Sequence, residues 1–183
     1  MPIGPSSSFG VPMFGIGIDP GYEFCGVARM ELASRKIVSY LTIETPRADE
    51  LPQRLRRVYS ALQDEITKPG VVAVGYENPL RTSAGKAKRH QTNTSSLILQ
   101  RVVGYIEAIC WNADIAMHSF EPQEVKKAVL GKGNADADKA RVQHMVKVIT
   151  GFFMGEHEAD ATATVYALAH RLAFEARLAH LHS

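Results

Sequence analysis

Residues Gly15-Ile16-Gly17-Ile18-Asp19-Pro20-Gly21 put one acidic side chain at the end of a short apolar run. With Phe14 ahead of them, Phe14, Ile16 and Ile18 alternate with glycines, the period of a buried strand. Pro20-Gly21 then punctuates the run as a turn. A carboxylate held at the edge of an apolar core costs free energy unless something compensates it. A divalent cation would do so, which makes Asp19 the first candidate metal ligand. Taken alone, Asp19 reads more readily as a turn aspartate bonded to nearby backbone amides.

Working outward, Cys25–Met30 and Lys36–Glu44 read as two further strands, so the chain opens with an antiparallel meander. Leu51, Leu55, Val58, Leu62 and Ile66 fall at helical spacing over Leu51–Ile66, which Lys68-Pro69-Gly70 stops. Val71–Tyr76 reads as a buried strand. The polar stretch Asn78–Gln91 follows as a loop, then a helix over Thr94–Cys110 and a strand over Asp114–Phe120. Helices are expected over Pro122–Leu130, Ala137–Ile149 and about Glu158–Leu178. Three strands, then helix–strand–helix–strand, then helices, predict an α/β domain with a mixed sheet under helices.

The 183 residues suffice for one compact domain with a sizeable core. Residues 1–12, rich in Pro, Ser and Gly, read as a flexible lead-in to a single domain over 13–183. No run of about 18 apolar residues occurs, so no membrane span is expected, and no secretory signal is apparent. A cytoplasmic protein is expected, with Cys25 and Cys110 as buried free thiols. Net charge is only +2, but Asn78 to Ile106 contains no acidic residue and holds Arg81, Lys86, Lys88, Arg89 and Arg101. Such a segment is an electrostatic footprint for phosphates, or a solvated basic loop.

Glu77 directly follows the apolar run Val71–Tyr76, so two buried-looking strands each end in a carboxylate. If the strands are neighbours, Asp19 and Glu77 share one sheet edge, where mutual repulsion raises one pKa. His157-Glu158-Ala159-Asp160 supplies a third element. Positions three apart share a helix face, so His157 and Asp160 project together, either as simple N-terminal capping or as ligands. Oxygen donors with one imidazole and no thiolate suit Mg²⁺ or Mn²⁺ rather than Zn²⁺. Two such ions about 4 Å apart are a known device for phosphodiester displacement.

These residues resemble the RuvC family of Holliday-junction resolvases. The resemblance rests on Gly17-Ile18-Asp19-Pro20-Gly21, Glu77, Gln123-Glu124-Val125-Lys126, Lys139-Ala140-Arg141-Val142-Gln143-His144-Met145-Val146 and His157-Glu158-Ala159-Asp160, in order from about Phe14 to His170. It implies a ribonuclease-H-like fold, with a five-stranded mixed sheet flanked by helices on both faces. It also implies a homodimer, Mg²⁺ (or Mn²⁺) dependence, and paired incisions across a four-way DNA junction, with branch-migration machinery as a further partner. Carried over residue by residue, Asp19 and Glu77 are the first two metal-binding catalytic residues. Placing His157 third and Asp160 fourth keeps the set complete, whereas placing Asp160 third would put Ala163 fourth. His157 then either ligates metal or transfers protons, and Glu158 faces solvent.

Lys126 and Lys139 match basic residues that the family sets near the DNA backbone and the scissile phosphate. Where the family often carries a wedging phenylalanine, this chain has Asn78-Pro79-Leu80-Arg81. Leu80 can wedge between bases but lacks an aromatic face for stacking. Leu80, Arg81, Lys86, Lys88 and Arg89 complete the expected DNA contacts, and Thr94–Cys110 is the expected dimer helix or a sheet-packing helix. Another ribonuclease-H-like nuclease, acting on RNA or other branched DNA, is the rival reading. A sugar-kinase-like phosphotransferase would repeat its glycine-rich phosphate motif in a second lobe, and none is seen.

Overall fold

The computed structural model describes residues 11–78, 94–131 and 139–181. The elements run β1 (Phe14–Asp19), β2 (Phe24–Glu31), β3 (Lys36–Glu44), α1 (Leu51–Ile66), β4 (Val71–Glu77), α2 (Thr94–Ala113), β5 (Ala116–Phe120), α3 (Pro122–Leu130), α4 (Lys139–Thr150) and α5 (Glu156–Leu181). The sheet order is β3-β2-β1-β4-β5. β1 pairs antiparallel with β2, and β2 antiparallel with β3. β4 runs parallel to both β1 and β5. The expected meander and mixed sheet are therefore both present, and helices cover both faces.

The alternation in β1 divides the molecule in two. Ile16 and Ile18 point to one face, where they join Val74 and Tyr76 of β4, Val58 and Leu62 of α1, and Val102 and Ile106 of α2. Burying each such aliphatic side chain contributes about 1.5–3 kcal/mol. Gly15 and Gly17 point to the other face, which α5 covers through Val165 and Leu168. Val125 of α3 and Val146 of α4 complete that core. Alanines at 159, 161, 163, 167 and 169 line the buried half of α5. Small residues on the helix meeting glycines on the strands let the two backbones approach closely.

Several boundaries differ from the sequence-based expectation by one to three residues; α2 runs on to Ala113 and α5 to Leu181. β5 starts at Ala116 rather than Asp114, because Asp114 adopts φ +54° and the Ile115 amide closes α2 on the Cys110 carbonyl at 2.9 Å. Aspartate tolerates the left-handed region better than most residues, and so ends the helix here. α5 starts at Glu156, two residues early. Glu158 is half-buried rather than solvent-facing, since its Oε2 accepts the Gly155 amide at 2.6 Å as a helix cap. Both cysteines are free and buried, and burial pushes the Cys25 thiol up to about 12 and Cys110 to about 11.

Candidate metal-dependent nuclease site

The parallel pairing of β1 with β4 builds the site. Gly17 stands opposite Gly75 and Ile18 opposite Tyr76, so Asp19 and Glu77 leave the sheet at the same end. α5 crosses above that end and brings the side chains of its first turn onto it. His157 Nδ1 lies 2.9 Å from Asp19 Oδ2. A carboxylate only accepts, so Nδ1 carries the proton and donates it; Nε2 on the opposite ring edge is an acceptor when the ring is neutral and a donor when it is charged. Asp160, three residues on, faces the same cluster.

These groups lie close enough to share one electrostatic field. Burial first, then the charges of Asp19 and Asp160, push the Glu77 carboxyl up to about 7. Burial and Asp19 likewise push Asp160 up to about 6. The hydrogen bond to Asp19 raises the His157 imidazole above its ordinary value. Lys139, at the start of α4, pairs with Glu156 and lies 3.9 Å from Asp160 Oδ2. Lys126 on α3 and Lys139 both pull Glu77 back down. The two lysines singled out by sequence therefore border the carboxylates, with the Lys139 side chain still largely exposed.

This donor set suits a hard divalent cation in kind. Two of the three carboxyls are held partly protonated by burial and mutual repulsion, a penalty that a cation would remove. Among the described residues, no three His, Cys, Asp or Glu side chains form a finished metal-ligand group. The Nδ1 edge of His157 is spent on Asp19, and Lys139 shares the anionic load. Leu80, Arg81, Lys86, Lys88 and Arg89 lie outside the described residues.

Three features escaped the sequence. Gly26 stands opposite Asp19 in the β1–β2 pairing, and a Cβ there would sit 2.0 Å from the His157 carbonyl oxygen. Phe24, on the same face of β2, stacks on the His157 ring at 5.3 Å between centroids and 10° between planes. Arg54 of α1 is buried beneath the turn after Asp19. Its Nε donates to Thr45 Oγ1 at 2.9 Å, it pairs with Glu23 at 3.4 Å, and it lies over the Tyr22 ring at 5.0 Å. Removing a partner from such a cluster leaves buried polar groups unpaired. Arg54→Met is therefore expected to lower stability by about 1–3 kcal/mol in urea denaturation. Unchanged stability would show that the turn stands without it.

The family model for "Crossover junction endodeoxyribonuclease RuvC" matches residues 15–170. The protein of that name from Heliobacterium modesticaldum is 26% identical over 162 residues, covering 86% of this chain and 94% of its own. Its namesake from Rickettsia bellii is 31% identical over 161 residues, covering 84% of this chain and 95% of its own. Among solved structures, Thermus thermophilus RuvC in complex with Holliday junction substrate superposes with a TM-score of 0.69 at 22% identity. That match covers 91% of this chain and 96% of the other. At that identity the likeness speaks for the fold.

Proposed function

Because the chain belongs to the RuvC family of crossover junction endodeoxyribonucleases, we propose that it cuts four-way DNA junctions by hydrolysing one phosphodiester per protomer. The observation that carries this reading is the convergence of Asp19, Glu77, Asp160 and His157 on one sheet end. Nucleases of this family are metal-dependent. Here Asp19, Glu77, Asp160 and the Nε2 edge of His157 would hold the cations, with Mg²⁺ or Mn²⁺ matching the oxygen donors. When bound, the ions would lower the pKa of water and stabilise charge on the leaving oxygen.

The chain's own groups do the rest. In the neutral ring the 2.9 Å contact to Asp19 keeps the proton on Nδ1, so that Nε2 can hold a cation or take a proton. Lys139 and Lys126 offset phosphate charge at the rim. Symmetric incision requires two such sites, which supports a homodimer. The outer side of α2 fits a dimer contact, with Leu97 47% and Trp111 70% exposed and open space above Gly104 between them. Its inner side, Ile98 to Cys110, is spent on the core. No helix among the described residues is long and apolar enough to cross a membrane.

The test incubates the protein with a synthetic four-way junction and Mg²⁺, beside Asp19→Asn. Symmetric nicked duplexes from the parent alone are expected. Equal cutting of linear duplex, or activity in the variant, would refute the reading, and cutting of other branched DNA or RNA instead would favour the rival nuclease. Cation affinity should also depend on pH. Protons compete with the ion for Glu77, held near 7, and Asp160, held near 6. Calorimetric titration with Mn²⁺ should therefore show affinity rising from about pH 5.5 to about pH 8, with proton release on binding largest at the acid end and fading toward pH 8. A flat profile would remove these carboxyls from the ligand set.

A further inference from the structure

Beside the carboxylates lies a groove of about 330 Å³ whose lining includes Asp19, Glu23, Lys139 and His157 together with Tyr22, Phe24 and Leu99. That lining combines the two chemistries a nucleotide presents. Lys139 and His157 can meet phosphate charge, and Tyr22, Phe24 and Leu99 offer apolar surface and aromatic planes. Phe24 is 40% exposed although it is a large apolar side chain at the start of a central-sheet strand. That exposure carries a cost in water, and the ring stays at the groove because several contacts hold it there. Its backbone pairs with Glu44 across β2–β3. Its carbonyl packs so tightly under Gly21 that a Cβ there would lie 1.8 Å away. The adjoining Glu23 carbonyl accepts the Thr45 amide at 3.0 Å.

Resting on the nuclease reading above, we propose that this groove is a subsite for the nucleobase adjoining the scissile phosphate, with Phe24 as its stacking platform. The His157 and Phe24 rings already lie parallel, and a base laid on Phe24 continues the stack as a third plane. Holding the ring in place beforehand lowers the ordering cost of binding. Stacking tolerates any base, since every base has a π-face. The subsite therefore places the nucleotide without choosing its sequence, and it supplies the aromatic surface that Leu80 does not.

The test places 5-iodouracil at the nucleotide adjoining the mapped cut, binds the junction in EDTA, and irradiates with long-wave ultraviolet light. The crosslink is expected to map to Phe24 and to be lost in Phe24→Leu. Phe24→Leu is also expected to weaken junction binding about 5-fold, with Phe24→Tyr binding as the parent does. A crosslink that maps elsewhere, fails to form on bound junction, or persists in Phe24→Leu would overturn the subsite. Parent protein that fails to bind the junction at all would instead refute the junction reading, and the subsite with it.

Discussion

Glu77→Gln is expected to abolish cleavage while making the cation-free protein harder to unfold at about pH 8. The two effects share one cause. In the folded protein, burial and the charges of Asp19 and Asp160 lift Glu77 from an ordinary carboxyl value to about 7. A raised folded pKa means that the folded state holds the proton more tightly than the unfolded chain does. Stability from that proton is fully present below the ordinary carboxyl range and is lost as pH rises through 7. Glutamine behaves as a carboxyl that never loses its proton, so the variant escapes this loss. A shift of this size bounds the gain, giving about 1–3 kcal/mol at pH 8 and little at pH 5. Urea denaturation in EDTA at the two pH values measures it.

Cleavage moves the other way. Glutamine keeps the shape but offers no anionic oxygen, and loss of several kcal/mol of transition-state stabilisation is about 10³-fold or more in rate. Adding Mg²⁺ should narrow the stability gap, because only the parent gains from the ion. A variant that is less stable than the parent at pH 8 would show that the carboxylate supports the fold rather than the chemistry. Retained cleavage would remove Glu77 from the site.

That conflict between stability and function marks what was legible in the sequence. An acidic residue directly after an apolar strand is locally inconsistent, and Asp19 and Glu77 were visible for that reason. Their adjacency depended on β1 and β4 being neighbours, a condition open in the sequence and met by the parallel β1–β4 pairing. His157 and Asp160 were legible from three-residue spacing, once a helix start was placed nearby. The family motifs set Lys139 and Lys126 near the scissile phosphate, and the structure puts Lys139 beside Glu77 and Asp160 and Lys126 near Glu77.

What stayed hidden depends on contacts between distant segments. Phe24 and His157 are far apart in the chain, and no periodicity announces that their rings meet. Arg54 sits within an amphipathic helix pattern where an arginine ordinarily faces water, yet it is buried against Thr45 and Glu23. Glycines at 15 and 17 looked like gaps in an alternating strand. Their reason is the α5 backbone, with the Ala161 carbonyl 2.2 Å from where a Gly17 Cβ would lie. Glycine at a strand interior signals close approach, but the approaching partner is known only from the fold.

Gly26→Ala tests that reasoning at its most sensitive point. The added Cβ would stand 2.0 Å from the His157 carbonyl oxygen and 2.5 Å from its carbon. Both belong to the backbone in the first turn of α5, so no flexible side-chain end can swing aside. The first turn must lift from β2, carrying His157 away from Asp19 and Asp160 away from Glu77. Overpacking of this kind costs about 1–3 kcal/mol in stability, and misplacing reacting groups by about 1 Å costs about 10²-fold in rate. Rates are compared well below the melting temperatures of parent and variant, so that unfolding does not masquerade as lost chemistry. If Gly26→Ala melts earlier yet cuts at the parental rate, the Gly26 contact supports only the packing of α5. If it cuts about 10²-fold more slowly while folded, a missing methyl group on β2 is what holds His157 against Asp19.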